Sequence, residues 1–274
     1  MSITRMPALL AGIVNVFRFT GFLLAVLTVL LVFSLPADAR HHSHDREDDD
    51  GDELPFSELA IRIEVNETDG DAGLQIFFDA EAWKKVEVEN PRGREIYVVT
   101  NYGKLRRLGS TEHFMESEEP NFEEMPLPDI LRLLPAGEYE FSGLTVEGDE
   151  LEGTAELTHD LPCGPEIIFP EEDQELDPND PVVIAWEPVT NKLDNNTGEC
   201  GDSTDIVIVA YEVIVDIEES DPPQSYDIFL PADAMSVAVP PEFIVPGAEY
   251  SFEILAIEES GNQTISESAF TTSE

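Results

Sequence analysis

Positive charge is the scarcest property of this sequence. Its 274 residues carry 14 Lys and Arg against 59 Asp and Glu, a formal net charge of −45. A chain so acidic is repelled by nucleic acid and by anionic membrane surfaces. Both are excluded as partners, apart from a membrane held by the N-terminal apolar segment if that segment stays uncleaved. Cysteine is limited to Cys163 and Cys200, too few for a multi-bridge framework or a four-cysteine zinc site. The sequence has no Gly-x-Ser-x-Gly nucleophile turn, no His-Glu-x-x-His helix and no phosphate-cradling glycine loop. No residue set here specifies an enzyme.

The one long apolar run, Phe19 to Leu35, follows Arg5 and Arg18 and precedes Pro36 and the small-residue end Ala37-Asp38-Ala39. Residues 1–39 therefore read as a secretory signal peptide cleaved after Ala39, with an uncleaved anchor as the competing reading. The expected location is secreted, periplasmic or cell surface. Cleavage leaves 12 basic and 58 acidic side chains, and 12 minus 58 is −46. Residues 40–53, RHHSHDREDDDGDE, bury too little apolar area to offset chain entropy and form a disordered His/Asp-rich arm. After that cleavage His42 is the third residue from a free amine, an arrangement that suits square-planar copper or nickel. An unbound polar spacer is the alternative.

The charge is unevenly distributed. From Glu166 to Glu274 Lys192 is the only basic residue, facing 26 Asp and Glu, whereas Lys84, Lys85, Arg92, Arg94, Lys104, Arg106 and Arg107 cluster earlier. Opposed charges of this kind can orient one domain against another or set up head-to-tail contacts between molecules.

Two units of sandwich length follow the arm, residues 54–160 and 161–274. In the first, Ile61, Ile63 and Val65 alternate with Arg62 and Glu64 as in a half-buried strand. LQIFF reads as a second strand, and Val86–Glu89 and Glu95–Thr100 flank Asn90–Gly93 as a hairpin. Residues 111–128, rich in acid and Pro, read as a long loop, and residues 128–134 as a short helical turn. LLPAGEYEF and IVPGAEYSF place Tyr139 and Tyr250 at equivalent corners, 111 residues apart, where each ring fills a core edge and its hydroxyl pins the preceding loop. With Tyr139 set over Tyr250, Phe141 falls on Phe252 and Leu144 on Leu255, while Gly143 opposite Ile254 breaks the pattern.

The runs PEIIFP, VVIAWEPVT, AYEVIV, SYDIFL, IVPGAEYSFEILAIEESGN and SESAFTT resemble the successive strands of a fibronectin type III domain. The resemblance covers nearly all of residues 162–274 and places Trp186, Tyr211 and Tyr250 in the core; it implies no ligand for them. The first unit matches no family. The fold class is all-β: two tandem immunoglobulin-like or fibronectin type III-like β-sandwiches. The loop from Thr190 to Asp205 is longer than that family's and carries Cys200, whose only partner within the chain is Cys163. In an oxidising compartment the two form a disulfide.

Three constellations bear on chemistry. Asp69 with Asp71, and Asp177 with Asp180, sit at acidic turns whose oxygens suit calcium, with plain turns as the competing reading. The sequence requires no cofactor, and calcium is the one candidate. His113 and His159 each neighbour an acid, and Asn66, Asn195 and Asn262 fit glycosylation acceptors. The expected function is non-enzymatic binding or adhesion, recognising an extracellular protein or glycan through sandwich loops or a sheet edge, with calcium assisting. The alternative is a periplasmic or extracellular metal-binding protein, or a hydrolase accessory, using His113, His159 or the histidine arm.

Overall fold

The structure is a computed structural model and describes residues 53–274. Its first half contains β1 (Glu53–Pro55), β2 (Glu58–Asn66), β3 (Asp71–Asn90), β4 (Arg94–Thr100), β5 (Ser110–Glu116), β6 (Gly137–Thr145) and β7 (Glu150–Leu157), with short helices α1 (Leu105–Leu108) and α2 (Leu127–Leu133). The 20-residue β3 is the spine. Its first part pairs with β2 and β5, its second with β4 and β6, and the register breaks between Asp79 and Trp83 where the partners change. In the sequence this strand reads as two, because Ala80-Glu81-Ala82 interrupts the alternation. Residues 110–116 are likewise strand rather than loop: His113 and Met115 turn inward while Glu112, Phe114 and Glu116 turn away. An acid-rich composition hides a regular alternation.

The second half contains β8 (Ile167–Phe169), β9 (Gln174–Leu176), β10 (Val183–Trp186), β11 (Ile208–Ile217), β12 (Ser225–Pro231), β13 (Ser236–Ala238), β14 (Glu249–Glu258) and β15 (Gln263–Thr272). One layer runs β13-β10-β8 and the other β15-β14-β11-β12. Three strands against four, in that order, make a fibronectin type III-like sandwich. Alternation along β10, β11 and β14 sends Trp186, Tyr211, Val213, Tyr250, Phe252 and Ile254 into the space between the layers. At the corner the Tyr250 hydroxyl donates to the Phe243 carbonyl at 3.3 Å and accepts from the Val245 amide at 2.6 Å. Tyr139 donates to the Pro135 carbonyl at 3.0 Å in the same way.

Gly143, the residue that breaks the repeat, pairs with Val86 of β3 on one side and Leu151 of β7 on the other. A Cβ there would stand 2.9 Å from the Lys85 carbonyl oxygen and 3.3 Å from the Leu151 side chain. Gly143→Ala is expected to cost about 1–3 kcal/mol by overpacking, read as a lower urea midpoint. A change under about 0.5 kcal/mol would mean that β6 moves away freely.

The two halves do not hang from a flexible linker. β15 pairs in parallel with β2, Gln263 to Ile265 against Glu64 to Asn66, so strands of both halves form one 12-stranded sheet. Beside it Asn262, fully buried, accepts from the Ile63 amide at 2.8 Å and donates to Thr158 Oγ1 at 2.9 Å and the Asp160 carbonyl at 3.1 Å. Thr264 Oγ1 donates to the Pro162 carbonyl at 2.7 Å. The loop from Thr190 to Asp205 is the second tie. The disulfide joins Cys163 to Cys200, and Leu193 and Cys163 are both buried in the core of the first half. Charge plays a small part here: among the described residues, one ion pair spans the halves, Lys192 to Asp160 at 2.9 Å. Orientation by opposed charges is therefore corrected to backbone pairing and buried amides, which do not depend on salt.

Candidate functional site

Alternation fixes what lies on the outer face of the joined sheet. Because Ile61, Ile63 and Val65 point into the core, Arg62, Glu64 and Asn66 of β2 point out. By the same rule β3 presents Gln75, β5 Glu116, β15 Gln263 and Glu267, β14 Glu253, and β11 Glu212 and Asp216. Six strands thus present carboxylates or amides side by side. Glu253 of β14 lies directly opposite Glu267 of β15, a like-charge pair that destabilises a sheet. The segment after β5 folds back over this face: Phe122 N–H donates to the Gly70 carbonyl at 2.7 Å, and Glu119 lies over Gly73, where a side chain would collide with it.

Glu64, Glu116 and Glu119 meet at the centre, one carboxylate oxygen from each lying within 4.8 Å of the others. Glu64 is 4% exposed. Burial first, then Glu64 and Glu116, pushes Glu119 up to about 8. Burial also raises Glu64. Glu253 is pushed up to about 8 by burial, then by Glu267 and Glu64. Arg62 is the cation of this face, and its Nε donates to Gln75 Oε1 at 2.6 Å, while Gln75 Nε2 donates to Glu116 Oε1 at 2.8 Å. Gln263 Nε2 donates to Glu64, leaving Gln263 Oε1 buried without a donor among the described residues.

The residues singled out in the sequence fall in several places. Asp71 borders the cluster, with Oδ1 buried and unpartnered, and burial followed by Asp69 and Glu267 raises it to about 6. Asp69 donates its amide to Asn66 Oδ1 at 3.1 Å and its carbonyl accepts from Asn121. Asp177 belongs to another turn, where its Oδ1 accepts from the Asn179 amide at 2.9 Å; Asp180 N–H closes that turn on the Asp177 carbonyl. His113 is packed among Phe78, Trp83 and Tyr97, with Nε2 2.7 Å from the Tyr97 hydroxyl, and burial keeps its pKa low. His159 Nε2 lies 2.6 Å from the Leu134 carbonyl. His42 lies outside the described residues. Asn66 and Asn262 are buried and hydrogen-bonded, which corrects their reading as glycosylation acceptors.

A second surface carries the opposite charge. Among the described residues β4 pairs with β3 alone, so its outer edge is open there, and Ile96 and Val98 face outward. The following segment, Asn101–Gly109, is held at both ends. Asn101 donates to the Trp83 carbonyl at 2.9 Å and accepts from Ser110 Oγ at 3.1 Å. Gly109, at φ +77, fits against Ala82 and Val146 where a Cβ would stand 2.9 Å or less from each side chain. Between these posts Tyr102 is 79% exposed, Leu108 73% and Leu105 54%, interleaved with Lys104, Arg106 and Arg107.

No family model and no curated protein matches the chain. Among solved structures, it overlays on fibronectin(III)-like modules of CbhA from Clostridium thermocellum with a TM-score of 0.31 and 10% identity, covering 80% of this chain and 93% of that one. The FN1-FN3 domains of chicken CNTN1 give 0.30 and 10%, over 82% and 66%. A two-domain fibronectin type III segment of chicken tenascin gives 0.28 and 11%, over 79% and 99%. Overlays this loose carry no argument; strand order and core assign the fold. Among the described residues no helix is long and apolar enough to cross a membrane.

Proposed function

We propose that this chain is a non-enzymatic binding and adhesion protein of the cell exterior that docks a protein partner through the open edge of β4 and the Asn101–Gly109 platform. The observation that carries this reading is the platform itself: three large apolar side chains at 54–79% exposure, interleaved with three cations, on a rigid mount. Aromatic and Arg side chains anchor protein interfaces, and an open strand edge adds backbone hydrogen bonds. Charge complementarity selects an acidic partner surface. A second copy supplies one, since residues 166–274 hold 26 Asp and Glu against Lys192. Adhesion is then homophilic and head to tail. The net charge repels copies at long range, but near 0.15 M salt the Debye length is about 8 Å and only contacting patches count.

Sedimentation velocity of the purified protein tests this. Near 0.15 M salt the protein should self-associate with rising concentration, and association should weaken at about 0.5 M. Arg106→Glu with Arg107→Glu should abolish it, and Tyr102→Ser should weaken it about tenfold or more. A monomer at every concentration, or association that these changes leave intact, would overturn the reading.

A further inference from the structure

We propose that Glu64, Glu116 and Glu119 form a binding site for a divalent cation, calcium in particular, with the amide oxygen of Gln263 as a fourth ligand. Three carboxylate oxygens within 4.8 Å of one another fit on one coordination shell, because calcium–oxygen distances of about 2.3–2.6 Å allow ligands on opposite sides of the ion to stand about 5 Å apart. A cluster of acids alone would prove nothing, since such groups can simply repel one another or hold protons. Gln263 is the independent observation. It is 3% exposed, its Nε2 is fixed on Glu64, and its Oε1 has no donor among the described residues. A planar amide places that oxygen about 2.2 Å from its nitrogen, so the orphaned acceptor lies on the same amide that touches the Glu64 carboxylate. A buried acceptor left unpaired beside a buried carboxylate costs stability unless something positive lies between them.

The protein's own cation does not fill that role: the charge of Arg62 favours ionised Glu64, but among the described residues its Nε bonds Gln75 and it forms no ion pair with Glu64, Glu116 or Glu119. All the donors are oxygens, and hard oxygen donors without imidazole or thiolate select calcium or magnesium over zinc or copper. A ligand set drawn from two strands of the first half, the folded-back segment and β15 of the second is adaptable in size, which favours calcium over the strict octahedron of magnesium. The ion would bind the segment carrying Glu119 to the sheet where the two halves join. This inference is independent of the homophilic reading, which concerns the opposite charge and a different edge.

The test is calorimetric titration of calcium chloride into the purified protein, stripped with chelator, near 0.15 M sodium chloride. One calcium should bind, magnesium at least about tenfold more weakly, and the thermal midpoint should rise with calcium concentration. Glu119→Gln and Glu116→Gln should each lower affinity at least about tenfold while circular dichroism stays unchanged; Asp177→Asn should leave affinity as it was. No stoichiometric heat, a midpoint rise that sodium chloride reproduces, or binding lost in Asp177→Asn but kept in Glu119→Gln would each overturn the site. Self-association with no calcium heat would sink this inference alone.

Discussion

Melted in chelating buffer, the protein should grow less stable as pH rises from about 5 to about 8.5, the reverse of most proteins over this range. Glu253 decides the sign. Folded, it holds its proton to about 8; its ordinary value is 4.5. Between those values the folded state binds more protons than the unfolded state, so each rise in pH through the window removes stability. Below 4.5 the group is protonated in both states and its contribution is constant. Glu212 of β11 acts in the same direction, raised by burial and by Asp227 of β12. Burial raises Asp216 and Glu267 as well, and Arg62 offsets the sum only in part. A carboxyl that binds its proton tenfold more tightly on folding contributes about 1.4 kcal/mol, and partial exposure screens the effect. We expect Glu253→Gln to stabilise the protein at pH 8 by about 2–3 kcal/mol, or roughly 5–10 °C in a chain of this size, and to flatten the slope. A midpoint that falls instead, or a slope that survives both Glu253→Gln and Glu212→Gln, would show that these carboxyls are solvated.

Carboxylates that weaken their own fold need a reason to be where they are, because local rules are broken mainly where function requires it. The Glu253–Glu267 pair could be relieved by one neutral residue, and so could Glu64. Their convergence on the outer face is what the cation reading explains, and the basic platform at Asn101–Gly109 is the complementary case. Both surfaces violate what a sandwich would choose if it had nothing to bind: one lies on the strands of the joined sheet, the other on a segment anchored at Asn101 and Gly109.

How much of this is legible in the sequence depends on range. The strands of the second half can be read because their alternation is local: Val182, Ile184 and Trp186, or Tyr250, Phe252 and Ile254, declare a buried face within five residues. The corner tyrosines can be read because Pro, Gly and Tyr stand at fixed short spacings. The carboxylate site cannot. Glu64 and Gln263 are 199 residues apart, Glu116 lies in a strand whose composition reads as a loop, and Glu119 reaches the group only because its segment folds back over Gly73. No spacing rule joins them, and the calcium expectation comes near only at Asp71. The joining of the halves is hidden for the same reason, since three residues of parallel pairing leave no periodic mark. The apolar side chains at Tyr102, Leu105 and Leu108 are visible as letters, but their exposure follows from Asn101 and Gly109, two small residues with tertiary partners.

Replacing Cys163 and Cys200 together by Ser should lower the unfolding midpoint by roughly 10 °C. The bridge closes a loop between residues 37 apart, and cross-linking a loop of that length restricts the unfolded chain by about 4 kcal/mol on the entropy model; a kcal/mol is worth about 2–4 °C in a domain pair of this size. The folded state should keep its shape, because the loop has other anchors. The Leu193 amide donates to the Leu161 carbonyl at 2.9 Å, the Cys163 amide to the Asn191 carbonyl at 3.0 Å, and Asn195 Nδ2 to the His159 carbonyl at 3.0 Å. Calorimetry also separates the two ties between the halves. If the β2–β15 pairing and buried Asn262 hold them, the variant still melts in one transition at a lower temperature. Two separated transitions would mean that the bridged loop, rather than the shared sheet, makes the halves one body. A drop under about 2 °C would mean that the loop is already constrained in the unfolded chain.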